Sequence, residues 1–216
     1  MKKNFLYTIN IMFIPILFVV LIWIIKEIEL IFNLSFVEYG IIPWDTNKLI
    51  NVFSFPFIHA DFSHLINNTY PILILGGIIS FAYKSIKNRI FLLSYLLSGI
   101  ILWFIGDPNK IVIGASGIVY AFASFILISG FIKQNPKLSF LSFLVIFLYG
   151  SIFWGMLPMP NQVSWEGHLA GFIAGIIIAI IFRKMGPQRK KYSWEMEEEL
   201  ENKEEKSCFN YIYKKD

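Results

Sequence analysis

The chain has 216 residues, of which 56% are hydrophobic and 16% charged, far from the balance of a soluble domain. Its apolar runs are long enough to cross a bilayer, so the lipid bilayer is the expected surrounding, and the net charge of +4 points to loop placement rather than to a nucleic-acid partner. A single cysteine, Cys208, excludes an internal disulfide framework and any site built from several thiolates.

Six apolar spans are expected, at about 5–25, 64–83, 90–105, 115–132, 138–157 and 167–183. The fold class is therefore all-α, a polytopic six-helix membrane bundle over residues 1–184, followed by a charged tail at 185–216. The first span follows only "MKKN" and lacks a small-residue cleavage site, so it reads as a span rather than a cleavable signal. Lys and Arg sort between the connectors. Twelve fall in the segments holding Lys2, Lys84, Lys133 and Arg183, against three (Lys26, Lys48 and Lys110) on the opposite side. The positive-inside rule then places both termini in the cytoplasm of a cell whose inner membrane holds the chain. Spans 2, 4 and 6 all begin at the extracytoplasmic face, and residues in their first turns share a depth.

Between the first two spans, the loop from Lys26 to Ser63 contains "ELIFNLSFVEYGIIPW". Its aromatics suit either an interfacial element or a plain connector with a tryptophan at the headgroups. Span 2 opens with "HADFSHLINNTYPILILGG". His64 and Asn68, four residues apart, lie on one helix face, where an imidazole and a carboxamide can donate to a developing oxyanion or simply bond loop backbone. His59 and His64 are five apart and would not share a helix face, which disfavours a zinc pair; "HExxH" is absent as well. No metal and no cofactor are expected.

Span 4 opens within "KIVIGASGIVYAFASF". Taken alone, Ser116 reads as a helix serine bonded to a carbonyl one turn back, with Gly114 and Gly117 easing the approach of a neighbour. A base at the same depth would change that reading. Span 5, "LSFLVIFLYGSIFWGM", is bulky and aromatic. Span 6, "SWEGHLAGFIAGIIIAI", offers a candidate: His168 lies in its first turn, where a lone histidine can simply be a satisfied packing residue, but Gly167, Gly171, Gly175 and Ala179 form a small-residue stripe that admits a close neighbour, the geometry a serine–histidine pair needs. Glu166, two positions from His168, faces elsewhere on a helix and makes a poor third member of a triad. The tail sequence "WEMEEELENKEEK" reads as a short amphipathic or frayed helix and carries no expected chemistry.

"GASG" around Ser116, "GHLAGFIAG" around His168 and "HADFSHLINN" with its following "LGG" resemble the rhomboid intramembrane serine proteases, across the whole six-span core. The resemblance implies a serine endopeptidase that cuts transmembrane segments of other membrane proteins near the extracytoplasmic face. It implies Ser116 as nucleophile, His168 as base in a Ser–His dyad, His64 and Asn68 in the oxyanion hole, and Tyr120 stacked on the base. Helical spacing independently puts Tyr120 on the face of Ser116. It also implies access between spans 2 and 5, where Phe143, Phe147, Phe153 and Trp154 read as a gate or as lipid-facing packing. The chain departs from many bacterial members at Ile50 and Asn51, where a Trp-Arg pair is usual. Two alternatives belong to other classes. One is a proteolytically inactive rhomboid-like protein that binds membrane clients, which the Ser116–His168 pair disfavours. The other is a transporter, disfavoured by the lack of matched halves.

Overall fold

A computed structural model describes residues 2–158 and 164–189, and in the tail 194–197, 200, 201 and 203. Seven α-helices stand in order among them: α1 (Lys2–Ile11), α2 (Phe13–Ile31), α3 (Phe62–Ala82), α4 (Lys87–Ile105), α5 (Ser116–Lys133), α6 (Pro136–Tyr149) and α7 (Trp165–Ile181). The fold is all-α. Helices α3, α4 and α5 are long and apolar enough to cross a membrane, while α6 and α7 are shorter apolar helices. Helix α2 has 19 residues but carries Lys26, Glu27 and Glu29 near its end. The described tail positions are helical, and the rest of the expected tail segment lies outside the described residues.

Three expected boundaries shift for local reasons. The first span is interrupted at Met12 and then runs to Ile31, so Lys26 is a buried helix residue rather than part of the outer loop. Its ammonium is satisfied there by Glu29 Oε2 at 3.1 Å and by the carbonyls of His59 and Ala60 at 2.9 and 3.0 Å. The fifth span divides: α6 ends at Tyr149, and a 3₁₀ segment, Gly150–Met156, carries the chain onward. Helix α3 begins at Phe62, capped by the Asp61 carboxylate accepting from His64 N at 2.8 Å.

Helix α5 is the axis of the bundle. Of its membrane-length window 72% is buried inside the protein, against 28% for α4. Apolar burial gives little net attraction between helices in lipid, so close packing must come from small residues and polar contacts. The interface between α5 and α7 supplies both. A Cβ placed on Gly171 would fall deep inside the van der Waals shell of the Gly117 carbonyl, and one on Gly175 would overlap Ser124 Oγ and the Ala121 carbonyl. The backbones therefore touch. At the far end of the same pair, buried Lys133 donates to the carbonyls of Phe182, Arg183 and Met185, closing the C-terminus of α7 with a cation.

The long loop before α3 is a folded insertion rather than a plain connector. It holds 3₁₀ segments at Val37–Tyr39, Thr46–Phe53 and Phe55–Phe57, and Ile41 pairs with Val112 as an isolated antiparallel bridge. At the Ile50–Asn51 departure, Ile50 points outward and Asn51 is buried. The Asn51 carboxamide donates to the carbonyls of Gly40 and Glu38 at 2.8 and 3.2 Å, which knits the loop internally.

Candidate active site

The starts of α3, α5 and α7, together with the 3₁₀ segment after α6, build one polar constellation. Helix α5 begins at Ser116 itself, so no helical carbonyl lies one turn behind to occupy its hydroxyl, and the residue is half-buried. Gly114 supports this start in two ways. Its φ is +105°, a conformation glycine adopts at little cost, and a Cβ there would lie 2.5 Å from His64 Cε1 and 2.6 Å from His64 Nε2. The missing side chain is therefore the space that the His64 ring fills. The structure thus brings His64 against the backbone two residues before Ser116.

His168 lies in the first turn of α7, whose cap is the Ser164 hydroxyl accepting from Gly167 N. Its ring stacks on that of Tyr120 with centroids 4.3 Å apart and planes 9° from parallel. Tyr120 stands one turn after Ser116 on the same face of α5, so the imidazole lies over the side of α5 that carries the serine. His168 Nδ1 lies 2.8 Å from the Gly155 carbonyl oxygen. A carbonyl only accepts, so Nδ1 carries the proton and donates, which leaves the Nε2 lone pair free to take another. No hydrogen bond joins Ser116 Oγ to His168 among the described residues; such contacts commonly close only around bound substrate.

Gly155 is the member of this group that sequence reasoning missed. Its carbonyl accepts from Nδ1 of His168, the ring nitrogen that a carboxylate holds in a triad. A Cβ on Gly155 would overlap Tyr120 Oη and lie 3.2 Å from His168 Nδ1. The only signal in the sequence was a glycine between Trp154 and Met156, in a segment read as plain helix. Glu166 is engaged elsewhere: it is buried, accepts from Ser164 Oγ at 3.0 Å and pairs with Lys110 at 3.4 Å.

Asn68 is buried at 3% exposure and uses its amide to donate to the His64 carbonyl at 3.1 Å. His64 Nε2, by contrast, is a buried ring nitrogen with no hydrogen-bond partner among the described residues, an arrangement that costs free energy unless a ligand or water meets it. His59 does not follow the helical geometry expected of it. It precedes the Asp61 cap, so its ring is free to meet that of His64 edge to face, with centroids 5.0 Å apart. Burial and the neighbouring His64 ring lower the His59 pKa to about 4, and it is neutral near neutral pH. Among the described residues no group of three or more metal-ligating side chains comes together. Of the residues read as a gate, Phe143, Phe147 and Trp154 are exposed, and the side chain of Phe153 lies outside the described residues.

A model of the Rhomboid domain matches residues 46–185, from the 3₁₀ turns of the loop to the end of α7. The chain belongs to the rhomboid family. It is a multi-pass integral membrane protein. An uncharacterized protein of Mycobacterium tuberculosis is 32% identical over 181 residues, 80% of this rhomboid and 75% of that protein. One from Mycobacterium leprae is 29% identical over 182 residues, 80% and 71% of the two chains. Rhomboid-related protein 2 of Mus musculus is 29% identical over 136 residues, which cover 58% of this rhomboid and 45% of the mouse protein.

Proposed function

We propose that this rhomboid is a serine endopeptidase that cuts transmembrane segments near the membrane face where α3, α5 and α7 begin. The observation that carries the reading is the state of His168: stacked on Tyr120, bonded through Nδ1 to the Gly155 carbonyl, and left with no partner for Nε2 among the described residues, on the face of α5 that opens with Ser116. Packing alone gives no reason for a half-buried imidazole to be held with its basic nitrogen uncommitted.

In the reaction, His168 Nε2 takes the Ser116 proton as the oxygen attacks the scissile carbonyl, and later returns it to the leaving amine. The Ser116 N–H, His64 Nε2–H and the Asn68 amide donate to the tetrahedral oxyanion. The orphaned His64 nitrogen supports that assignment, since an oxyanion supplies the acceptor it lacks. The substrate helix must unwind locally before attack, because its own hydrogen bonds occupy the scissile carbonyl. Segments with Gly, Pro or polar residues near that end of their span are the favoured substrates. We assign the chain to the inner membrane with both termini cytoplasmic, which puts cleavage at the outer face.

The test combines cleavage of a reporter transmembrane segment with labelling by a fluorophosphonate probe. Wild type should do both, and Ser116→Ala and His168→Ala neither, with unchanged thermal unfolding. Equal labelling of wild type and Ser116→Ala would remove Ser116 as nucleophile.

A further inference from the structure

At the end of the bundle opposite Ser116, the last turn of α3 and the first turns of α6 enclose a groove of about 510 Å³. Phe81 and Ile78 of α3 form one wall, Leu138 and Leu141 of α6 the other, and Pro187 closes the end where the chain leaves α7. Lys137 is the single charged residue of the lining among the described residues. It is exposed, and its ammonium pairs with no carboxylate among the described residues. Its basic neighbours are largely committed. Lys133 turns inward to the end of α7, Lys84 bonds Tyr7 Oη, and Lys87 bonds the carbonyls of Asn10 and Ile11.

We propose that this groove binds one anionic phospholipid of the leaflet on that side, with an acyl chain along the apolar walls and the phosphate at Lys137. Charge argues for the headgroup. The three segments meeting here, residues 83–89, 133–137 and 182–189, contain eight Lys and Arg and no Asp or Glu, and a basic membrane face selects anionic lipid. Volume argues for the chain. A transmembrane helix is about 10–12 Å across and 30 Å long, several times larger than this space, whereas pockets of about 300–1,000 Å³ suit small molecules. Position along the helices agrees with both: Lys137 is exposed in the first turn of α6, and Leu141 and Ile78 stand about one turn further from the helix ends, as a lipid's own polarity requires.

The proposal is independent of proteolysis. Native mass spectrometry of detergent-purified protein, with phosphatidylglycerol and phosphatidylcholine of identical chains added, reads it directly. Wild type should retain phosphatidylglycerol preferentially. Lys137→Ala should lower that retention about fivefold and level the preference, and Leu141→Trp, which fills the groove, should lower retention of both lipids. An unchanged lipid ratio in Lys137→Ala, or no retained phosphatidylglycerol in wild type, overturns the assignment. So does a Leu141→Trp protein that retains the lipid but no longer captures a reporter transmembrane segment, since the groove is then a peptide seat.

Discussion

His168 owes its readiness to Gly155, whose carbonyl accepts the Nδ1 proton and whose lack of a side chain admits both Tyr120 and the imidazole. Gly155→Val should therefore displace the base without removing any reacting group. A displacement of about 1 Å can cost on the order of a hundredfold in rate, so we expect at least that loss in reporter cleavage from a protein that still folds, with thermal unfolding lowered by the overpacking of about 1–3 kcal/mol. Full turnover by Gly155→Val would show that the carbonyl does not orient the base. Asn68→Ala should lose about 10²–10³ in rate if its amide serves the oxyanion, and nothing if its bond to the His64 carbonyl is its whole task. The motif residues of this site were visible in the sequence because each is a polar side chain at the start of an apolar span. Gly155 was not, because a backbone carbonyl contributes no residue-type signal.

Between elements, the stripe on α7 separates into unequal positions. A Cβ on Gly167 would meet nothing closer than 3.6 Å, the distance to Val112 Cγ1, whereas on Gly171 it would overlap the Gly117 backbone. Gly167→Ala should be tolerated within about 0.5 kcal/mol, and Gly171→Ala should cost about 1–3 kcal/mol as overpacking. Thermal unfolding in detergent compares the two directly, and equal stabilities would show that α7 does not meet α5 through this stripe. Periodicity alone treats the glycines as equivalent; only the crossing point distinguishes them. Helix ends were harder to read for a related reason. Lys26 and Glu29 mark a loop by charge, yet here they compensate each other inside α2 and reach the His59 and Ala60 carbonyls. Lys26→Met leaves the buried Glu29 carboxylate with the Phe36 N–H at 2.8 Å but without its cation, and should destabilise by about 3 kcal/mol. Lys26→Arg, which keeps the charge, should recover part of that loss in the same melt.

Across the whole molecule, the segment entering α3 couples stability to pH through His59, buried beside His64 with Lys26 and Asp61 nearby. Its folded pKa of about 4 lies below the ordinary 6.5, so between those values the unfolded chain binds a proton that the folded chain refuses. The stabilisation is complete above pH 6.5, erodes as the pH falls toward 4 and then levels, an effect of about 3 kcal/mol. The melting temperature of wild type should drop through that window, and the His59→Gln profile should be flatter; parallel profiles would assign the acid sensitivity to other groups. The contact between His168 and Gly155 has a consequence on the same scale. The α5–α7 pair is locked by touching backbones at one end and by Lys133 at the other, and the 3₁₀ segment after α6 is joined to that fixed pair at His168. The bond runs from His168 Nδ1 to the Gly155 carbonyl. In the proposed protease, a shift of that segment would therefore reorient the base while leaving Ser116 where it is.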